Sequence, residues 1–349
     1  MSEDHPVFAR VLEELMSPAG LSGPTVRRVF DAIFAGAWTS AQIGGLLTAL
    51  RLHGDRPEVI AAAASAMRAV MLKVPHDFPR LLDTCGTGGD GSGTLNLSTG
   101  AAIIAAAAGV PVAKHGNRAA SSRSGSADVL EALGIALDVP AAEQGHVLRE
   151  ANIAFLFATS HHPAMKHAMP IRRELGIRTL FNCLGPLANP AGATHQLLGA
   201  YDDSVRRVLA EALRDLGSKR AWVVRSTDGM DELSPHAPTR VTELDGGTLK
   251  ELEIAPEDFG LARSPAGAIR GGDPADNARA FSTVLAGEPH PARDAFLLNA
   301  AGALVVADGM EPRAAAERAR EALDSGAALR ALETWRRTTA ARRPRSGAE

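Results

Sequence analysis

The change of pattern at Pro75 constrains the fold of this chain more than any other feature. Before it, apolar residues recur at helical spacing in four runs with no β-prone segment between them. These runs cover residues 7–16, 25–35 (opened by Pro24 and stopped at Gly36), 41–52 (with Ser40 placed to cap it) and 57 to about 73, which Pro57 starts. Beyond Pro75, short β-prone runs at 81–84, 110–114, 153–157, 196–200 and 221–225 alternate with helical runs at 99–108, 127–133, 204–216, 276–286 and 292–306. Residues 241–244 and 249–252, separated by Asp245, Gly246 and Gly247, read as a hairpin. The expected architecture is α/β: a small helical domain over residues 1–75 beside a larger domain over 76–335, whose mostly parallel central sheet is flanked by helices. Five arginines among Thr, Ala, Pro and Gly make residues 336–349 an expected disordered basic tail.

The bulk numbers exclude several classes. A chain of 349 residues is long enough for two compact units and a sizeable core. A net charge of −3 offers no broad basic face for nucleic acid or an anionic membrane, so neither is expected as a partner and any anion site must be local. The two cysteines, Cys85 and Cys183, are far apart and lack partners at metal spacing, which argues against a disulfide framework and against zinc. Glu3 and Asp4 stand where a leader would be basic, and no stretch reaches the ~18 apolar residues free of charge that a membrane span needs, so the expected location is cytoplasmic.

The most informative segment runs from Asp83 through Gly86-Thr-Gly88-Gly89-Asp90-Gly91-Ser-Gly93-Thr94 to Asn96-Leu97-Ser98-Thr99, between an expected strand and an alanine-rich helix. Gly86, Gly88 and Gly91 formally satisfy the dinucleotide fingerprint, which is a weak match alone. That reading requires an acidic residue about 20 positions on to hold ribose hydroxyls. Here no Asp or Glu occurs between Asp90 and Asp128, and the gap carries Lys114, His115, Arg118 and Arg123 instead. No Gly-Lys-Ser/Thr closes the loop, so it is not a P-loop. Glycine-loop amides, a hydroxyl-rich helix start and an acid-free cationic segment together describe a polyphosphate site. Residues 114–126 read as a loop that folds over a phosphorylated substrate, the bland alternative being an exposed Ser/Arg-rich loop. After the run at 221–225 comes Asp228-Gly-Met-Asp-Glu232, whose two adjacent carboxylates, Asp231 and Glu232, are hard oxygen ligands suited to Mg2+ beside phosphates, although acidic turns are also common on surfaces. His162 and His167 are badly spaced for a metal, and Arg172 is placed to grip a carboxylate through its planar fork.

In this order, Gly-Thr-Gly-Gly-Asp, Asn-Leu-Ser-Thr, Lys-His-Gly-Asn-Arg, His-Pro-Ala-Met-Lys, Arg-Thr-Leu-Phe-Asn-Cys-Leu-Gly-Pro-Leu-Ala-Asn-Pro and Asp-Gly-Met-Asp-Glu resemble the motifs of the anthranilate phosphoribosyltransferases. The likeness spans roughly residues 5–335. It implies a helical domain completed by helices inserted around 163–190, a homodimer joined through that domain, and transfer of a phosphoribosyl group to anthranilate on the way to tryptophan. By motif, the phosphoribosyl pyrophosphate contacts would be Gly86, Gly89, Asp90, Thr94, Asn96, Leu97, Ser98, Thr99, Lys114, His115, Gly116, Asn117, Arg118, Ala119, Ala120, Ser121, Ser122 and Ser126. Ser98, Asp231 and Glu232 would hold Mg2+, and Gly86, Asn117 and Arg172 would hold anthranilate. Lys114 and Arg118 would stabilise the departing pyrophosphate, and no general base is assigned because an aryl amine is already neutral at pH 7. Two departures stand out: Thr159 follows Ala158 where the family usually has proline, and Arg225-Ser226 replaces a frequent His-Gly. A pyrimidine-nucleoside phosphorylase and a non-catalytic nucleic-acid-binding relative share the implied fold, but the intact motifs and acidic balance disfavour both.

Overall fold

The computed structural model describes residues 6–119, 123–265 and 267–344. Four helices come first: α1 (Phe8–Met16), α2 (Gly23–Phe34), α3 (Ser40–His53) and α4 (Pro57–Val70). Thr39, not Ser40, caps α3. Its hydroxyl accepts from the Gln42 amide at 3.3 Å while Gln42 Oε1 accepts from the Thr39 amide at 2.9 Å, a reciprocal box that starts the helix one residue earlier than expected.

The α/β part follows as β1 (Leu82–Gly86), α5 (Leu97–Ala107), β2 (Val112–Gly116), α6 (Ser126–Ala132), α7 (Ala141–Ala151) and β3 (Ile153–Phe157). Short helices α8 (Ala158–His161), α9 (Met169–Leu175) and α10 (Phe181–Leu187) then lead to β4 (His195–Gly199), α11 (Asp203–Asp215) and β5 (Arg220–Ser226). The hairpin β6 (Thr239–Asp245) and β7 (Thr248–Ile254) turns through Gly246 and Gly247, both at positive φ (55° and 89°), as a two-residue turn between twisted strands requires. Four helices close the chain: α12 (Pro274–Leu285), α13 (Arg293–Asp308), α14 (Pro312–Asp324) and α15 (Ala327–Ala341).

The strand order is β3-β2-β1-β4-β5-β6-β7, parallel through β5 and antiparallel beyond it. Alternate residues of the strands feed two cores. Leu82, Leu197, Trp222, Val224 and Val241 join α5–α7 and α12–α15 on one face, whereas Cys85, Leu198, Ala221, Val223 and Leu244 join α1–α4 and α9–α11 on the other. The N-terminal helices therefore share one hydrophobic cluster with α11 and the sheet. Helix α13 is buried at every position from 295 to 307, as befits a helix apolar on all sides, and it packs on α5 through Gly100, where a Cβ would lie 2.0 Å from the Phe296 ring.

The expected disordered tail is corrected for residues 336–344. Helix α15 continues to Ala341 with Trp335, Thr338 and Thr339 buried, and Arg336 donates to the Leu133 carbonyl. Arg342 pairs with Glu150, and Arg343 with Asp138 at 3.0 Å. The carboxylates that fasten these arginines lie some 190–205 residues away in sequence, so composition alone reads them as unpaired. Arg345 and the rest of that stretch lie outside the described residues.

Candidate active site

Strand β1 is the point at which the sheet order turns, with β2 and β3 on one side and β4 and β5 on the other. Ligand crevices form at the carboxyl ends of strands at such a point. The glycine loop leaves β1 at Gly86, the cationic segment leaves β2 at Gly116, and the acidic turn follows β5.

The glycines are needed where they stand. Gly88, Gly89, Gly91 and Gly93 have φ of 69°, 75°, 76° and 63°, and a Cβ on Gly86 would lie 2.7 Å from Asp231 Oδ2. The loop meets the acidic turn directly, since the Gly88 amide donates to Asp231 Oδ2 at 3.2 Å and the Asp231 amide donates to Asp90 Oδ2 at 3.4 Å. At the start of α5 the Ser98 amide donates to Glu232 Oε1 at 3.0 Å. The turn is itself braced from behind: Asp228 accepts from Ser226 Oγ (2.6 Å) and Ser234 Oγ (2.5 Å), and Asn299 of α13 clamps Leu233 in both directions. Burial raises Asp231 and Glu232 above the usual carboxylate range. Asp90 raises Asp231 further, and Asp231 does the same to Glu232. Oxygens crowded this way favour a cation between them.

Lys114 is buried among these groups. Its ammonium donates to the Thr84 carbonyl and to Ser98 Oγ (3.3 Å), and burial lowers its pKa against the opposing pull of Asp83. The position depends on a splay of the sheet: β1 and β2 register at Leu82↔Val112, while β1 pairs with β4 along its length. Side chains span the gap. The His115 amide donates to Asp83 Oδ1 (3.0 Å), and Asn189 Nδ2 donates to Asp83 Oδ2 and to the Ala113 carbonyl, both at 2.8 Å. The sequence assigns a role to neither Asp83 nor Asn189, although Asp83 opens the glycine segment and Asn189 stands in the Leu-Gly-Pro-Leu-Ala-Asn-Pro motif.

The other expected residues take different places around the site. Thr94 Oγ1 lies 3.2 Å from Ser92 Oγ, and Asn96 donates to the Ser124 carbonyl at 3.0 Å, so both line the loop's exit. The Leu97 side chain is in the core. The Thr99 hydroxyl is buried with no hydrogen-bond partner among the described residues, as is that of Thr87. Around the cationic segment, Gly116 abuts Ser126 Oγ, which donates to the Asn117 carbonyl at 3.2 Å, and the Ala119 amide donates to Asp128 at 2.9 Å. Arg118 is turned aside, paired with Asp128 and Glu131, which raise its pKa. The His115 ring is turned aside too: Nδ1 meets the Gly185 carbonyl (3.0 Å) and Nε2 meets His162 Nε2 (3.2 Å), and burial holds both imidazoles neutral, His162 down at about 4. Ala120, Ser121 and Ser122 lie outside the described residues. Arg172, on α9, rests 5.3 Å over the Phe181 ring and 3.4 Å from Met169 Sδ, and no carboxylate among the described residues pairs with it.

Residues 9–71 match the helical bundle domain of a glycosyl transferase family and residues 78–329 match that family's a/b domain. Fold and family models thus define a two-part glycosyltransferase, a helical bundle joined to an α/β domain. The chain is 48% identical over 330 residues to the anthranilate phosphoribosyltransferase of Symbiobacterium thermophilum, covering 94% of this chain and 97% of that one. It is 49% identical over 325 residues to that of a Bradyrhizobium species, covering 93% and 96%. Among solved structures, the Thermus thermophilus enzyme superposes with a TM-score of 0.87 at 44% identity (92% of this chain, 96% of that one). The Saccharomyces cerevisiae enzyme in complex with PRPP and Mg gives 0.88 at 30% (96% and 98%). The chain belongs to the anthranilate phosphoribosyltransferases.

Proposed function

We propose that this chain joins the amine of anthranilate to C1 of phosphoribosyl pyrophosphate, releasing pyrophosphate, with the residues at the carboxyl ends of β1, β2 and β5 holding the donor. The carrying observation is the convergence of the glycine-loop amides, the Lys114 ammonium, Ser98 and the Asp231–Glu232 pair. Gly86, Gly89, Asp90, Thr94, Asn96, Ser98 and Thr99 border the place where a diphosphate would lie. Asn117, Arg118, Ala119 and Ser126 border the cationic side, and Arg118 would have to leave Asp128 and Glu131 to reach it.

Magnesium fits this donor set. Asp231, Glu232 and the Ser98 hydroxyl are hard oxygens, and the raised carboxylates would be relieved by a divalent ion. Magnesium takes only one or two protein carboxylates and completes its shell with water and substrate oxygens. When bound, it would neutralise charge growing on the leaving diphosphate. The protein's own part is to hold that diphosphate with preorganised amides and Lys114, and to present the acceptor at C1. Arg172, a cation without a carboxylate partner among the described residues, would take the carboxylate of anthranilate. The neutral amine needs no base, which leaves the buried His115–His162 pair a packing and positioning role.

We also propose a cytoplasmic homodimer joined through the helical layer. Val7, Met16 and Leu52 are 61%, 74% and 84% exposed there, large apolar groups that a partner would cover. No helix among the described residues is long and apolar enough to cross a membrane. The test of the activity is loss of anthranilate fluorescence on mixing enzyme, phosphoribosyl pyrophosphate and magnesium; unchanged fluorescence at high enzyme concentration would refute it.

A further inference from the structure

Arg178 lies between α9 and α10, six residues beyond Arg172, and reaches across to the glycine loop. Its guanidinium donates to the Gly89 carbonyl and stacks 4.5 Å from the centroid of the Tyr201 ring, just past β4. Tyr201 donates in turn to Asp55 Oδ2 at 2.9 Å, between α3 and α4. Gly89 has φ of 75°, and a Cβ there would stand 3.1 Å from the Arg178 guanidinium. The loop is therefore shaped to accept this arginine, and no carboxylate among the described residues forms an ion pair with it. Other ties of residues 87–90 run to the sheet and the acidic turn: the Thr87 amide donates to the Gly199 carbonyl, the Gly88 amide to Asp231, and the Asp231 amide to Asp90.

We propose that Arg178 is a positioning residue for the phosphorylated substrate, holding the glycine loop in its binding conformation from the segment that also carries Arg172. The proposal rests on the donor-binding reading of that loop. A carbonyl held by Arg178 turns its peptide plane, which aims the following amides into the crevice, and the aromatic shelf of Tyr201 limits the guanidinium to one orientation. Arg178 thereby ties the donor loop to the seam between the helical layer and the sheet.

The test compares wild type with Arg178→Ala and Arg178→Lys, measuring both KM values, kcat and Tm. Loss of one charged hydrogen bond predicts a donor KM raised about tenfold in Arg178→Ala, with the anthranilate KM within about twofold. Lysine can still reach the carbonyl and the ring, so Arg178→Lys should keep the donor KM within about threefold of wild type. An unchanged donor KM, or an equal rise in both constants, overturns the proposal. If the alanine variant does not fold, a lysine variant whose anthranilate KM rises more than its donor KM overturns it as well. Wild-type enzyme without any transfer activity would instead defeat the functional reading, a result independent of the Arg178 variants.

Discussion

Asp83 shows how much a single buried group can decide. It touches no expected ligand, yet it accepts the His115 amide and the Asn189 side chain where the β1–β2 ladder opens, and so holds Lys114 in place. Burial pushes its carboxyl from 3.8 up to about 6. A raised carboxyl is held protonated more tightly by the folded than by the unfolded chain, so this contribution to stability is present below about pH 4 and is lost as pH rises through about 6. Relative to Asp83→Asn, wild type should lose up to about 3 kcal/mol between pH 4 and pH 7 in urea midpoints; a difference independent of pH would contradict it. Arg172→Ala should raise the anthranilate KM by about tenfold or more while leaving that of the donor near wild type, because a charged hydrogen bond is lost only to the carboxylate. Equal effects on both substrates would remove Arg172 from that role. Asp231→Asn with Glu232→Gln should lower turnover about a hundredfold and abolish its response to added magnesium, and an unaltered metal titration would count against the ligand assignment.

Among the elements, α5 and α13 set the rigidity of the site, because Ser98 and Asn299 anchor the acidic turn from these two helices. Their contact is tightest at Gly100, whose absent Cβ leaves room for Phe296; that ring is fixed in turn by an edge-on contact with Phe281 at 4.9 Å and 84°. Helix propensity favours Gly100→Ala by about 1 kcal/mol, whereas overpacking costs about 1–3 kcal/mol. Both aromatic rings are fully buried and cannot swing away, so packing should win. The expected result is a Tm lowered by several degrees with donor KM raised, read by thermal melts and steady-state kinetics. A stabilised variant would show that the helices can separate freely.

For the whole molecule, Leu52→Glu should turn a dimer into a species of half the mass in light scattering, with the fold kept because the side chain is 84% exposed. A wild-type mass already equal to one chain would end the dimer proposal. The helical start, the β/α alternation and the glycine loop were all legible in the sequence because each is local: periodicity, caps and φ-tolerant glycines act over a few residues. The motifs also announced the family, and with it the candidate ligands. Helices α7, α14 and α15 were not read, and residues 336–344 were misread. Their anchors, such as Asp138 and Glu150, lie far off in the chain, and no local pattern encodes a pairing across that distance. The same reason hid the contacts of Asp83, Asn189, Tyr201 and Arg178, although three of these residues stand in quoted motifs. Amino-acid order set which groups are candidates for holding a polyphosphate, but only tertiary structure decided that Lys114 faces the acidic turn while the His115 ring and Arg118 turn aside, since burial and charge pairing depend on what the fold brings near.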